Sequence, residues 1–132
     1  MKVAIYKIFF LLVLYFSIDV AQAQNDTYSF SKAALKSGSS RELAKYFNEI
    51  VEVSFEGEKV SYSRAHAEVR FKDFFKKYPP IDFSDVHSGS TKGGLTYAIG
   101  KYTYQGGAFR VVVYIKKIKG VDVIDTIEFS KW

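Results

Sequence analysis

The chain has 132 residues, a net charge of +5 and no cysteine. This length accommodates one compact domain, and the lack of cysteine excludes disulfide bonds and a cysteine-linked lipid anchor, so stability has to come from core packing. The charge is mild: its lysines cluster at 76–77 and 116–119, near an expected helix end and hairpin tip. Because nucleic-acid binding requires a broad basic face, we expect no nucleic-acid partner.

The first 23 residues have the pattern of a secretory signal peptide. The start is basic, Ile8–Phe16 is an unbroken apolar run, and Ala21–Ala23 is a cleavage motif with small residues at both ends. A membrane anchor is the alternative, but the run is shorter than the ~20 residues of a spanning helix. We therefore expect cleavage before Gln24, export to the periplasm or the exterior, no membrane attachment afterwards, and a single domain over residues 24–132.

The first part of this domain predicts three helices, with two short strands between the second and the third. Ser39 and Glu42 fit a capping box that opens the second helix, and Ser63 is a favourable cap for the third. The predicted segments are a helix over Tyr28–Ser37 ending at Gly38, a helix after Ser39, strands over Glu49–Phe55 and Lys59–Tyr62, and a helix from Ser63 to about Lys77.

The segment Ile81–Lys131 predicts four strands joined by tight turns that contain glycine. The turns are Thr91–Gly94, Gln105–Gly107 and Lys119–Gly120. Turns this short join antiparallel neighbours, so the second half of the domain is expected to be a meander. Its third strand, Phe109–Ile115, is apolar on both faces, which is typical of a strand covered on both sides.

The alternation of large residues changes phase near Gly100. Tyr97 and Ile99 occupy odd positions, whereas Tyr102 and Tyr104 occupy even ones. Because strand side chains alternate with a period of two, this change predicts one extra residue, and we expect a bulge at Gly100.

The doubly apolar strand also predicts an assembly. Helices can cover the row that contains Val111 and Val113, but Val112 and Tyr114, with Arg110, point the other way. Soluble monomers rarely expose large apolar patches, so we expect a homodimer through this outer side of the meander. The alternative is that Gln24–Phe30 folds over it.

The order of these elements resembles the nuclear-transport-factor-2-like (cystatin-like) fold. That fold is of the α+β class, with a strongly curved antiparallel sheet wrapped around about three N-terminal helices. More narrowly, the chain resembles a family of small exported bacterial proteins of unknown function. The residues that carry this resemblance are Ala34–Gly38, Glu42–Phe47, Asp73–Phe75 with Pro79-Pro80, His87–Ser90, Tyr97–Gly100 and Phe109–Val111. The resemblance implies a fold and no reaction, because unrelated functions share folds.

Three titratable residues are candidates for catalysis. Asp85 and His87 are two residues apart, so a regular strand places them on one face. Asp125 is expected opposite Tyr114 if the turn at Lys119-Gly120 has two residues, and the hydroxyl would then satisfy the carboxylate. Exposed or structural roles explain all three residues more simply. The two histidines are far apart and cysteine is absent, so no metal site and no cofactor are expected.

These residues leave two hypotheses for the function. The first is an exported, non-enzymatic domain that binds a small apolar or glycan ligand, or a protein partner, with Tyr97, Tyr114 and Arg110 lining a pocket in the cone. The simpler interpretation of the tyrosines is that they fill the core. The alternative function is a small hydrolase, isomerase or dehydratase that uses His87 with Asp85 or Asp125 in that pocket.

Overall fold

The computed structural model describes residues 26–132, which form three helices and six strands. The elements are α1 (Asp26–Ser37), α2 (Ser40–Ala44), β1 (Phe47–Phe55), β2 (Glu58–Ser63), α3 (Arg64–Lys77), β3 (Pro80–Ser90), β4 (Thr96–Tyr104), β5 (Gly107–Ile118) and β6 (Val121–Lys131). The expected signal peptide and its cleavage site lie outside the described residues. Between residues 26 and 132, no helix has the length and apolar character needed to cross a membrane.

The helix ends follow the local sequence. The side chain of Ser39 accepts a hydrogen bond from the backbone N–H of Glu42 at 3.2 Å, and Ser63 accepts one from the N–H of His66 at 3.2 Å. Gly38 has the expected left-handed conformation, with φ of 71°. The predicted caps are therefore confirmed. Helix α2 has only five residues, and Phe47 is already the first residue of β1.

The strands form one open sheet in the order β2-β1-β6-β5-β4-β3. The predicted meander is confirmed as the antiparallel series β3 to β6, and the turn at Lys119-Gly120 has two residues, both with positive φ. One pair departs from the expected antiparallel sheet, since β1 lies parallel to β6. The α+β class is confirmed, with the sheet ending at β2 on one side and β3 on the other.

The helices cover one side of the sheet, here called the inner face. Directly opposed residues share a face, and the buried row of Tyr102, Val111 and Val113 defines the inner face of the meander. Helix α3 contributes the ring of Phe74, whose centroid lies 5.6 Å from that of Tyr102 and 4.7 Å from that of Phe129. The aromatic residues of the inner face and of α3 thus form one continuous core.

The opposite side of the meander, here called the outer face, is apolar at its centre. Tyr97, Ile99, Val112 and Tyr114 share it and are half-buried. The alternative in which Gln24–Phe30 covers this face is wrong for residues 26–30, because they begin α1 and contact the inner side. No described residue of that segment therefore shields the outer face.

The bulge predicted at Gly100 is wrong. Strands β4 and β5 keep one register from Thr96 to Tyr104. Gly100 lies on the inner face, and a Cβ built there would overlap the ring of Phe83. The extra residue is Val86 in β3. The glycine is therefore required by an aromatic ring on the neighbouring strand.

Candidate functional site

A cleft lies between the first turns of α1 and the inner face of the meander, and it is here called the α1 cleft. Its volume is about 1070 Å³. Its lining residues are Thr27, Tyr28, Ser29, Lys32, Asp85, Val86, His87, Ser88, Gly89, Ser90, Gly94, Thr96, Tyr97, Ala98, Ile115, Lys117 and Asp122. Hydroxyl and charged side chains are the most frequent in this lining, so the cleft is rich in hydrogen-bonding groups.

A carboxylate of β3 is held by two side chains of α1. Tyr28 and Lys32 are four residues apart and therefore lie on the same side of the helix. The hydroxyl of Tyr28 donates to Asp85 Oδ1 at 2.5 Å, and Lys32 Nζ donates to Asp85 Oδ2 at 2.6 Å. Both carboxylate oxygens of Asp85 thus already have a partner.

In this cluster, the pKa values of Asp85 and Tyr28 are shifted in opposite directions. The hydrogen bonds from Lys32 and Tyr28 lower the pKa of Asp85, because they stabilise its charged form. Burial, with the neighbouring carboxylate, raises the pKa of Tyr28 well above its usual range. At neutral pH Asp85 is therefore ionised and Tyr28 protonated, which makes the pair a poor donor or acceptor of protons near neutrality.

His87 lies on the other face of β3. Asp85 pairs with Gly100 on the inner face, whereas His87 pairs with Ile99 on the outer face, because the bulge at Val86 reverses the alternation. The His87 ring centroid is 6.0 Å from that of Tyr97. Both His87 and Tyr97 nevertheless line the α1 cleft. The expectation that Asp85 and His87 share a face is wrong.

Asp125 occupies a bulge in β6. Tyr114 pairs with Thr126 and Ile115 pairs with Ile124, so Asp125 has no residue opposite it on β5. It is half-buried. The expected position of Asp125 opposite Tyr114 is therefore wrong, even though the two-residue turn on which it rested is present.

The three residues expected to line a pocket in the cone share the outer face instead. The rings of Tyr97 and Tyr114 are 6.3 Å apart at their centroids, and Arg110 is exposed. Tyr97 also lines the α1 cleft, whereas Tyr114 and Arg110 do not. No sequence pattern pointed to Tyr28 and Lys32, because their partner Asp85 is more than 50 residues away.

A metal centre would require a group of metal-binding side chains in the described part of the chain. Across residues 26–132, no three or more His, Asp or Glu side chains are grouped closely enough to hold a metal ion.

The family of the chain follows from comparison with known proteins. A family described as a domain of unknown function, DUF4783, matches residues 29–130. The chain belongs to the DUF4783 family. A search of curated proteins finds no match.

Solved structures agree with this membership. A DUF4783 protein from Bacteroides ovatus is 29% identical, with a TM-score of 0.73 over 78% of this chain and 93% of its own. One from Bacteroides fragilis is 26% identical, with a TM-score of 0.73 over 78% and 96%. A cystatin-like domain of unknown function from Nostoc punctiforme is 11% identical, with a TM-score of 0.64 over 85% and 76%. The resemblance to a cystatin-like family of unknown function is confirmed.

The Asp85 contacts predict a pH-dependent stability of this DUF4783 domain. Because the folded-state pKa of Asp85 is lowered, its contribution is present above the unfolded value of about 4 and is lost as the pH falls through the folded value. Both partners are partly exposed, so the contribution is at most ~1 kcal/mol. In urea unfolding, Asp85→Asn should therefore be less stable than the natural domain at pH 7, and this difference should shrink as the pH falls below about 4.

The matched control for this measurement is Asp82→Asn. Asp82 lies on the same strand and is 3.6 Å from Lys36, without a tyrosine hydroxyl on it. We expect its effect to be the smaller of the two. Equal stability of the natural domain and Asp85→Asn at pH 7 would show that the contacts of Asp85 do not stabilise the fold.

Proposed function

We propose that this DUF4783 domain is an exported, non-enzymatic binding module that holds a small polyhydroxylated ligand, such as a glycan, in the α1 cleft. The supporting observation is the lining of the cleft, where Thr27, Ser29, Ser88, Ser90 and Thr96 bring hydroxyl groups together around a volume of about 1070 Å³. Hydroxyl and charged groups exchange hydrogen bonds with sugar hydroxyls and fix their orientation. An apolar ligand would leave these polar groups without partners, at a cost in affinity.

The electrostatics of the cleft support a binding role. Lys32 and Tyr28 saturate Asp85 and lower its pKa, so the carboxylate is a weak base. A fixed ion pair at the wall of a cleft can still accept hydrogen bonds from a ligand through its remaining lone pairs. The arrangement therefore favours recognition over proton transfer.

The proposal is tested by NMR titration of residues 24–132 with maltotriose, cellotriose and chitotriose. We expect at least one of them to shift the amide resonances of Ser88, Ser90 and Thr96 in a saturable manner. Ser88→Phe places a bulky ring in the cleft and should weaken binding by about tenfold or more, equal to ~1.4 kcal/mol.

The control for that variant is Ser84→Phe. Ser84 is exposed on the same strand but pairs with Lys101 on the outer face, so the added ring stays outside the cleft and binding should be unchanged. Absence of saturable shifts with all three sugars at millimolar concentration, or equal weakening by both variants, would overturn the proposal.

The enzymatic alternative requires His87 and an acid in one pocket. It names a hydrolase, isomerase or dehydratase that uses His87 with Asp85 or Asp125. His87 and Asp85 both line the α1 cleft. However, they lie on opposite faces of β3, and both carboxylate oxygens of Asp85 already accept hydrogen bonds, from Tyr28 and Lys32. We expect His87→Ala to fold normally and, although His87 lines the α1 cleft, to alter sugar binding at most modestly. A loss of some turnover by orders of magnitude, at unchanged stability, would establish the enzyme instead.

Export is proposed from the leader pattern of the first 23 residues. Mass spectrometry of the protein recovered from the periplasm or the medium should give a chain beginning at Gln24. A mass that includes the intact leader would contradict it.

A homodimer is proposed for the outer face. The centre of this face is formed by half-buried aromatic and aliphatic side chains, those of Tyr97, Ile99, Val112 and Tyr114. A two-fold pairing would remove them from water. Sedimentation equilibrium at micromolar concentration should give twice the mass of residues 24–132, and Val112→Lys should give the monomer mass. The control is Val69→Lys, an exposed valine on α3, which should leave the dimer intact. A monomer mass for the natural domain would exclude this assembly.

A further inference from the structure

A second pocket lies at the other end of the domain, between the C-terminal half of α3 and the inner face of the sheet, here called the α3 pocket. Its volume is about 340 Å³. This is at the lower end of the range of small-molecule sites, and it suits a single ring system more than a chain of sugars. The α3 pocket has no lining residue in common with the α1 cleft.

The floor of the α3 pocket is aromatic. Tyr78 and Tyr104 are half-buried, and their ring centroids lie 5.0 Å apart in an edge-on arrangement. Tyr104 also stacks on the buried ring of Phe109 at 5.0 Å, with 24° between the planes. Phe55 is half-buried and stacks on Phe129 at 5.2 Å. These rings offer partly open, fixed aromatic surfaces, which attract flat aromatic groups at little cost in side-chain entropy.

The rim of the α3 pocket carries more positive than negative charge. Arg70, Lys77 and Lys131 are its cations, and Glu56 and Asp73 are its carboxylates. All five side chains are exposed, and none belongs to the ion pairs found within 4.0 Å between residues 26 and 132. The ammonium of Lys77 lies 5.4 Å from the ring centroid of Tyr78, so one positive charge is held directly beside the aromatic floor.

We propose that the α3 pocket binds a small aromatic carboxylate. The ring of the ligand would lie against Tyr78 and Tyr104, and its carboxylate would face Arg70 and Lys77. The guanidinium of Arg70 offers paired donors that match a carboxylate, and Lys77 adds a point charge. An uncharged aromatic ligand would lack these contacts with Arg70 and Lys77. A cationic ligand would be repelled by the net positive charge of the rim.

The experiment titrates residues 24–132 with 2-naphthoate, and in parallel with 2-naphthylmethanol and 2-naphthylmethylamine, which have the same rings but no negative charge. Binding is followed by the aromatic side-chain resonances in NMR. We expect 2-naphthoate to bind in a saturable manner with shifts at Tyr78 and Tyr104. The alcohol should bind about fivefold more weakly, in line with the strength of exposed ion pairs, and the amine more weakly still.

Two variants test separately the charge of Lys77 and the aromatic floor of the α3 pocket. Lys77→Gln should weaken 2-naphthoate binding by about fivefold and leave binding of the alcohol unchanged. Its control is Lys76→Gln, the preceding exposed lysine of α3, which does not line the pocket. Tyr104→Leu should weaken the acid and the alcohol together, because both use the aromatic surface.

Each other outcome overturns a stated part of the proposal. Equal affinity for the acid and the alcohol would show that the pocket does not recognise the ligand carboxylate. Equal effects of Lys77→Gln and Lys76→Gln would show the same. Absence of saturable shifts with 2-naphthoate at millimolar concentration removes the site itself. The sugar titrations of the α1 cleft use different probes and different resonances, so either result stands without the other.

Discussion

Replacing Phe71 with alanine is expected to lower the free energy of unfolding by about 3–5 kcal/mol. Phe71 is fully buried, and its ring centroid lies 5.6 Å from that of Phe47 on β1, 5.7 Å from Phe129 on β6 and 5.9 Å from Phe75 on its own helix. The residue therefore joins α3 to two strands, and its removal leaves a cavity that these elements cannot close. Since small domains have only about 5–15 kcal/mol of stability in all, much of it should be lost.

The measurement is urea unfolding of residues 24–132, followed by circular dichroism. Phe30→Ala is the control, because Phe30 is 53% exposed and its ring stacks on that of Tyr46 at 5.7 Å. We expect a change below about 1 kcal/mol for this variant. Similar losses for the two phenylalanines would contradict the central position assigned to Phe71.

Gly100→Ala should destabilise the domain by about 1–3 kcal/mol, because the added methyl group overlaps the ring of Phe83. The backbone conformation of Gly100 is one that any residue adopts, since its φ is outside the positive range, so the expected effect is steric. Adding Phe83→Leu to the Gly100→Ala variant should recover part of the loss, because a smaller side chain gives the methyl group room.

The control for Gly100 is Gly93→Ala in the loop between β3 and β4. A Cβ at Gly93 has only the hydroxyl of Thr91 nearby, at 3.9 Å, and we expect no loss of stability. If both alanine variants unfold at the same urea concentration as the natural domain, Phe83 does not fill the space above Gly100 in solution.

Local features of this fold were predictable from the sequence. The caps at Ser39 and Ser63 involve residues three positions apart. The turn at Lys119-Gly120 was indicated by its glycine, which readily takes the positive φ that both turn residues have. The arrangement of helices and sheet was predicted from the resemblance to the cystatin-like fold. Each of these inferences needed only residues close together in the chain, or the order of the elements.

The faces of the strands were harder to predict, because size does not reveal orientation. Tyr97 and Tyr102 are equally large, yet they lie on opposite faces, and the apparent change of phase between them came from counting both as core. The bulge at Val86 has no glycine to mark it. Since that bulge decides which face His87 takes, the catalytic pairing with Asp85 was misplaced for the same reason.

The composition of the α1 cleft depends on contacts between distant parts of the chain. Asp85 could be recognised as a polar residue in a strand, but its hydrogen bonds come from a helix that begins at Asp26. Nothing in the helical pattern of α1 distinguishes Tyr28 and Lys32 from ordinary surface residues. Sites of this kind follow from tertiary packing and could not be located from periodicity.

The parallel pairing of β1 with β6 has a consequence for the order of folding. Strand β1 and its hairpin partner β2 join the rest of the sheet only through β6, with contacts such as Val53 beside Ile127. While residues 121–131 are still inside a ribosome or a translocation channel, the first hairpin has no sheet to join. Such distant pairings slow folding because loop closure precedes any gain in contacts. The first hairpin can therefore join the sheet only after β6 has been made, so the edge formed by β1 and β2 is completed last.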